Sequence, residues 1–247
     1  MPSSNRPPSH ASEPKILCHF NHYFGTNSNF IGKSTTGVRK DRGDVVRLAL
    51  DGIRALRFDL DIRVCGLRDF SLLPIDIDLD EISDAQHIVY ASIERMFDAM
   101  DQYDYFLNIE DDVLITSDVL KACMMFNALS QPNEVYLPNR MECQSDGTSY
   151  CVDLFAMPGW KPELQRDFHG TTLGVACNSH SGLSFLSREQ MHYATERVNV
   201  SSRDVLIGGL MASAYANLHA PFLLWRAKSD LLAHHVFHLD KWLQSPL

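Results

Sequence analysis

The sequence predicts an α/β fold with a mostly parallel central sheet flanked by helices, and three observations predict it. Apolar, strand-like runs alternate with segments whose apolar residues recur every three to four positions. That alternation, strand, helix, strand, helix, strand, implies right-handed crossovers between parallel strands. One of the runs, Tyr105-Phe-Leu-Asn-Ile109, ends in three consecutive carboxylates, Glu110, Asp111 and Asp112, and sheets of this class take their ligands outside the carboxyl ends of their strands.

The elements follow in order. Lys15-Ile-Leu-Cys-His-Phe20 reads as a buried first strand, and a polar, Gly-bearing loop from Asn21 to Gly43 follows it. Loops longer than roughly 12 to 15 residues are often functional, and this one holds Arg39, Lys40 and Arg42, the densest basic cluster of the chain. Val45, Leu48, Ala49, Ile53 and Leu56 keep helical spacing up to a strand over Asp59–Gly66. Ile88, Val89, Ile93, Met96, Phe97 and Met100 form a second helical face, with Asp84 near its start, before the Tyr105 strand. A third helix is expected from Asp118 to about Leu129, and a strand near Glu134–Leu137.

Between Asn139 and Ser184 the periodicity fails. Gly147, Pro158, Gly159, Pro162, Gly170 and Gly174 stand among Tyr150, Phe155, Trp160 and Phe168, a composition suited to an irregular cleft wall. Val205, Leu206, Leu210, Met211, Ala214, Tyr215 and Leu218 define a last helix, capped by Ser201 or Ser202. The chain closes on a His-rich stretch with His234, His235 and His238. These readings divide the chain into a leader at 1–14, with four Pro and four Ser, and one domain at 15–247 whose halves meet near residue 138.

A chain of 247 residues that is 45 % hydrophobic can bury a sizeable core. Its net charge of -9 argues against broad attraction to nucleic acid. With no signal peptide and no apolar stretch of roughly 18 to 20 residues, a cytoplasmic protein is expected. Cys18, Cys65 and Cys123 fall in apolar patterns and no Cys-x-x-Cys occurs, so zinc is disfavoured; Cys143 and Cys151 flank a turn and would bridge in an oxidising compartment alone.

Three adjacent unprotonated acids repel one another unless a cation sits among them, and hard oxygen ligands suit Mg2+, Mn2+ or Ca2+. The plainer reading of the triplet is a solvated turn after a strand. No Walker sequence and no Gly-x-Gly-x-x-Gly accompanies it, which disfavours P-loop and dinucleotide-binding folds.

The alternating half ending in Phe106-Leu-Asn-Ile-Glu-Asp-Asp-Val-Leu-Ile115, followed by His180-Ser-Gly-Leu-Ser-Phe-Leu-Ser-Arg-Glu189, resembles a GT-A-fold glycosyltransferase over residues 15 to about 240. Glu110-Asp111-Asp112 is similar to a variant Asp-x-Asp motif, Ser181-Gly182 to the acceptor-side glycine segment and Arg203-Asp204 to the base-bearing helix start. The resemblance implies transfer of a sugar from a nucleoside-diphosphate sugar to a saccharide or lipid-linked acceptor, with Mn2+ or Mg2+ as cofactor and with peripheral membrane association compatible. It implies metal ligands at Asp112 and Asp111 and at a C-terminal imidazole, His238 before His235. Donor contacts would come from Glu110, Asn21, His22, Tyr23, Arg39, Lys40 and Arg42, and acceptor contacts from Trp160, His180, Ser181 and Gly182. Asp204 would be the general base of an inverting reaction, although Arg203 stands where relatives carry an acid. Two other readings are a nucleotidyltransferase of related fold, whose Gly-rich phosphate loop is not seen after the first strand, and a non-catalytic carbohydrate- or Ca2+-binding module.

Overall fold

In the computed structural model, residues 13–24, 42–82, 84–143, 148–151, 161–199, 210–228 and 232–239 are described. In chain order they form β1 (Lys15–His22), α1 (Arg42–Arg54), β2 (Asp59–Gly66), β3 (Ile77–Asp78), α2 (Ile88–Asp98), β4 (Tyr105–Glu110), β5 (Val113–Leu114), α3 (Ser117–Leu129) and β6 (Glu134–Tyr136). There follow β7 (Asn139–Cys143), β8 (Ser149–Cys151), β9 (Lys161–Phe168), β10 (Thr171–Ala176), β11 (Leu183–Ser187), α4 (Arg188–Thr195), α5 (Leu210–His219), β12 (Leu223–Ala227) and β13 (His235–His238).

The central sheet has five strands in the order β11-β4-β1-β2-β3. β1 pairs in parallel with both β2 and β4, β2 with β3, and β11 alone runs antiparallel, against β4. The expected class, α/β on a mostly parallel sheet flanked by helices, is what forms. Because strand side chains alternate, β1 feeds two cores. Ile16, Cys18 and Phe20 join Leu107 and Ile109 of β4 under α1 and α3, while Leu17 joins Phe106 under α2, α4 and α5. The helices are amphipathic for this purpose: Val46, Ala49, Leu50 and Ile53 of α1 are almost fully buried. Each such aliphatic side chain contributes about 1.5–3 kcal/mol by leaving water. Thr116 begins α3 by accepting a hydrogen bond from the Val119 amide, and a Ser187/Gln190 capping box begins α4.

The segment expected to be irregular, 139–184, is instead rich in strands. Two further four-stranded sheets occur, β6-β12-β10-β9 and β5-β13-β7-β8. Their strands escape the apolar-alternation test for identifiable reasons. β9 is an edge strand, and its inward positions are Arg166 and Phe168; the guanidinium lies over the rings of Phe126 and Trp225 at 4.2 and 4.6 Å and pairs with Glu134. β7 buries Asn139 and Glu142 where hydrophobes would be expected. Cys151 opposes Met141, and Cys143 opposes Ser149, in the β7–β8 register. No described helix is long and apolar enough to cross a membrane.

Candidate functional site

The strand order 3-2-1-4 reverses between β1 and β4, so a crevice opens at their carboxyl ends, the place where sheets of this kind bind ligands. His22 ends β1 and Glu110 ends β4, and the acid triplet therefore lies at the reversal. All three acids are buried, at 4 %, 6 % and 9 % exposure for Glu110, Asp111 and Asp112, which rules out a solvated turn. Buried carboxylates must find partners.

Asp111 finds two. His22 donates from Nδ1 to Asp111 Oδ2 at 2.6 Å, and Arg42 donates to Oδ1. The amide of Leu72 donates to His22 Nε2 at 2.9 Å, which fixes the proton on Nδ1. Both oxygens of Asp111 thus carry a hydrogen bond, which makes it an anchor of the triplet in this structure. His22 is fully buried with both ring nitrogens bonded, and it braces the triplet from below.

Asp112 is held differently. Arg42 Nη1 reaches Oδ2 at 3.3 Å, and the His238 Nε2 stands 3.6 Å from the same oxygen. Asp112 Oδ1 and Glu110 Oε1 are buried with no hydrogen-bond partner among the described residues. Burial opposes the charge on Asp112, yet His238 and Arg42 hold its carboxyl well below the usual carboxylate range. Glu110 is pushed up to about 8 by burial and by the charge of Asp112, against the pull of Arg140 and His238. For His238 burial alone would favour the neutral ring, but the Asp112 charge and the hydrogen bond to Glu142 outweigh it and raise the imidazole to about 10.

β13 carries His238 to this point because it lies between β5 and β7, with His238 opposite Val113 and the Leu239 amide donating to the Asp112 carbonyl at 2.7 Å. The other terminal histidines point elsewhere. His235 is three residues away and so projects from the opposite face of the strand, a spacing that would align the two on a helix. His235 is thereby corrected as a partner of His238. His234 bonds Tyr136 Oη at 2.6 Å and Thr171 Oγ1 at 3.1 Å.

The remaining candidates divide. Asn21 is buried and donates to Asn108 Oδ1 at 2.7 Å, the oxygen that also accepts from Tyr215 Oη at 3.0 Å; it ties β1 to β4 and α5 and is corrected from a donor contact. Tyr23 is half-buried with its ring 5.7 Å from Phe70, beside an exposed Phe24. Arg42 lies on the acids, with Nη1 on Asp112 and Nη2 on Asp111. His180 is half-buried, accepts from Arg140 Nη1 at 2.9 Å, and is pushed down to about 3 by burial and by the neighbouring Arg140 and Arg226 charges. Ser181 is fully buried and donates to the Leu183 carbonyl at 3.4 Å, so it is corrected from acceptor contact to turn residue. Gly182 adopts φ +70°, its carbonyl accepts from the Glu110 amide at 3.0 Å, and a Cβ there would lie 2.6 Å from Val113 Cγ2. Arg39, Lys40, Trp160, Arg203 and Asp204 lie outside the described residues.

Sequence reasoning missed Glu142, because the failed periodicity concealed the strand that carries it. Its carboxylate accepts from His238 Nδ1 at 2.8 Å and from Tyr150 Oη at 3.3 Å.

Whether a divalent ion fits is answered by the donors present. Among the described residues no group of three or more His, Cys, Asp or Glu side chains is arranged around an ion. Asp112 and His238 make a two-donor arrangement, and Glu110 adds an unbonded oxygen nearby in sequence. At metal–ligand distances near 2.1 Å, adjacent ligands of an octahedral ion stand about 3 Å apart and opposite ones about 4 Å; the observed 3.6 Å matches neither, and the two side chains would close by about half an ångström to become adjacent ligands. Mg2+-like ions commonly take one or two protein ligands and complete their shell with substrate phosphates and water. The donor set fits such an ion and not an all-protein cage.

No known family model matches the chain, and no curated protein does. Similar solved structures include a glycosyltransferase involved in the glycosylation of the major capsid of PBCV-1, at 10 % identity over 92 % of this chain and 95 % of that one, with a TM-score of 0.33. A197 from STIV is similar at 10 % identity over 94 % and 97 %, TM-score 0.35. A cytidylyltransferase from Leptospira borgpetersenii serovar Hardjo-bovis is similar at 11 % identity over 83 % and 68 %, TM-score 0.33. At these scores the likeness assigns neither activity nor ligand, and the site's own geometry has to carry the function.

Proposed function

We propose that this chain is a metal-dependent, GT-A-type glycosyltransferase that moves a sugar from a nucleoside-diphosphate donor to a saccharide or lipid-linked acceptor. The observation that carries the reading is the pairing of Asp112 with the Nε2 of His238 at the strand-order reversal, with Arg42 beside them. Asp112 and His238 would hold Mn2+ or Mg2+, and the ion would neutralise charge growing on the departing diphosphate.

The chain's own residues do the rest. Arg42 presents its guanidinium fork where a diphosphate would lie. His22, through Asp111, keeps the triplet from turning. Glu110, with one buried oxygen unbonded among the described residues, can bond a hydroxyl of the bound donor. The exposed side of Tyr23 and Phe24 offers a face for a base at the end of β1. Asp204 is assigned the proton of the acceptor hydroxyl, in an inverting displacement.

Incubation with a panel of nucleotide sugars tests this. Slow, Mn2+-dependent release of nucleoside diphosphate from one of them is the expected result. Binding without turnover would instead support a binding module, and release of pyrophosphate from a nucleoside triphosphate with a sugar phosphate would support a nucleotidyltransferase.

A further inference from the structure

We propose that Glu142 is a positioning residue that aims His238 Nε2 at Asp112 and thereby sets the affinity of the site for a divalent cation, an inference that rests on the metal-dependent reading above. β7 lies between β13 and β8, and its parallel register with β13, Phe237 beside Met141, brings the next residues on each strand, His238 and Glu142, side by side on one face. There the imidazole donates from Nδ1 to Glu142 Oε1 at 2.8 Å. Tyr150 on β8 donates to the other oxygen at 3.3 Å, so both carboxylate oxygens are used and the side chain is only 5 % exposed.

A carboxylate on one ring nitrogen does two things for a metal-facing histidine. It holds Nδ1 on itself, which turns Nε2 towards Asp112, and it fixes the ring plane. With Glu142 removed, the ring is free to turn about its Cβ–Cγ bond, and Nε2 no longer stays in line with Asp112. Nothing in β7 asks for a buried acid on packing grounds, since burying a carboxylate is costly unless it is paired and hydrogen-bonded. Its partners say what it is for: one is the imidazole opposite Asp112, and the other is a phenol that holds the carboxylate in place.

The test is the affinity of the folded protein for Mn2+ alone, measured by calorimetry and by electron paramagnetic resonance of free Mn2+, with no nucleotide present. Glu142→Ala is expected to weaken Mn2+ about 10- to 100-fold. Glu142→Gln, which keeps volume and an accepting oxygen, should lie between it and the wild type, and it serves if the alanine variant fails to fold. In a His238→Ala background the Glu142 substitution should cost nothing further, because its effect passes through the ring. Unchanged Mn2+ affinity in a folded Glu142→Ala protein would overturn the proposal alone, as would an undiminished effect in the His238→Ala background. Absence of Mn2+ binding by the wild type would overturn the metal-dependent reading, and this proposal with it.

Discussion

Asp112 and His238 face each other across 3.6 Å, too far for a hydrogen bond and too near for indifference. They stand 126 residues apart in the chain, and the sheet β5-β13-β7-β8 brings them together. At this distance the two opposite charges form an ion pair, which on the proposed function a divalent ion would open and occupy.

Asp112→Asn keeps the volume and removes the charge. Turnover of the nucleotide sugar is expected to fall by about 100-fold or more, the usual consequence of removing a main electrostatic contributor. Thermal stability should fall as well, because the variant leaves His238 and Arg42 without the buried charge they pair with. Full turnover by the wild type after exhaustive chelation would contradict the role assigned to Asp112.

His22→Ala acts on the support beneath. It strips the part-buried Leu72 amide of its acceptor and the buried Asp111 of its imidazole donor. Urea unfolding should show a loss of about 2 kcal/mol or more. A loss below about half a kilocalorie would mean that water replaces the ring without cost, and that the brace is unimportant.

Gly182→Ala meets two obstacles at once, the left-handed backbone at φ +70° and the methyl of Val113 at 2.6 Å. Destabilisation of at least about 1 kcal/mol is expected, with the Glu110 end of β4 displaced as β11 backs away. The denaturant midpoint and the turnover of the variant report on the two consequences separately.

Stability should decline on the acid side. Burial pushes His19 and His219 down to about 4 and His180 to about 3, from an ordinary value near 6.5. In each case the unfolded chain binds the proton that the fold refuses, so their contribution is complete above pH 6.5 and is lost as pH falls towards 4. Glu110 opposes them, because the fold holds its proton up to about 8. Three groups against one leaves a net slope on the order of 2 kcal/mol per pH unit between about pH 5 and 6. Urea midpoints across that interval check it; a flat profile would show that the buried imidazoles accept protons without unfolding.

How much of this could be read from the residues depended on whether an element had an apolar duty. β2 and α2 begin where their periodicity begins, and α1 and α3 do so within two residues, because burying a face against the sheet is all they do. β7, β9 and β13 were hidden by the polar groups they place inside, Glu142, Arg166 and the histidines. The acid triplet was visible as chemistry before it was visible as structure. Which histidine faces it was not, since that depends on β13 being a strand, where a spacing of three sends His235 and His238 to opposite faces. Glu142 had no signal of its own: its reason for being charged sits near the far end of the chain.

The placement of β13 also bears on when the site comes into existence. Chains are made from the N-terminus, and domains begin to fold as they emerge. β1, β2, β3 and β4 supply one another's parallel neighbours, so the acids can already be in place while most of the second half is unmade. The imidazole that completes the pair arrives only with residues 235–238, on a strand that must slot between β5 and β7 rather than add to a free edge. A ribosome-bound chain halted before that point would have its acids gathered and no histidine to face them. On the proposed function, a molecule that lacks residues 235–238 would be inert rather than poorly controlled.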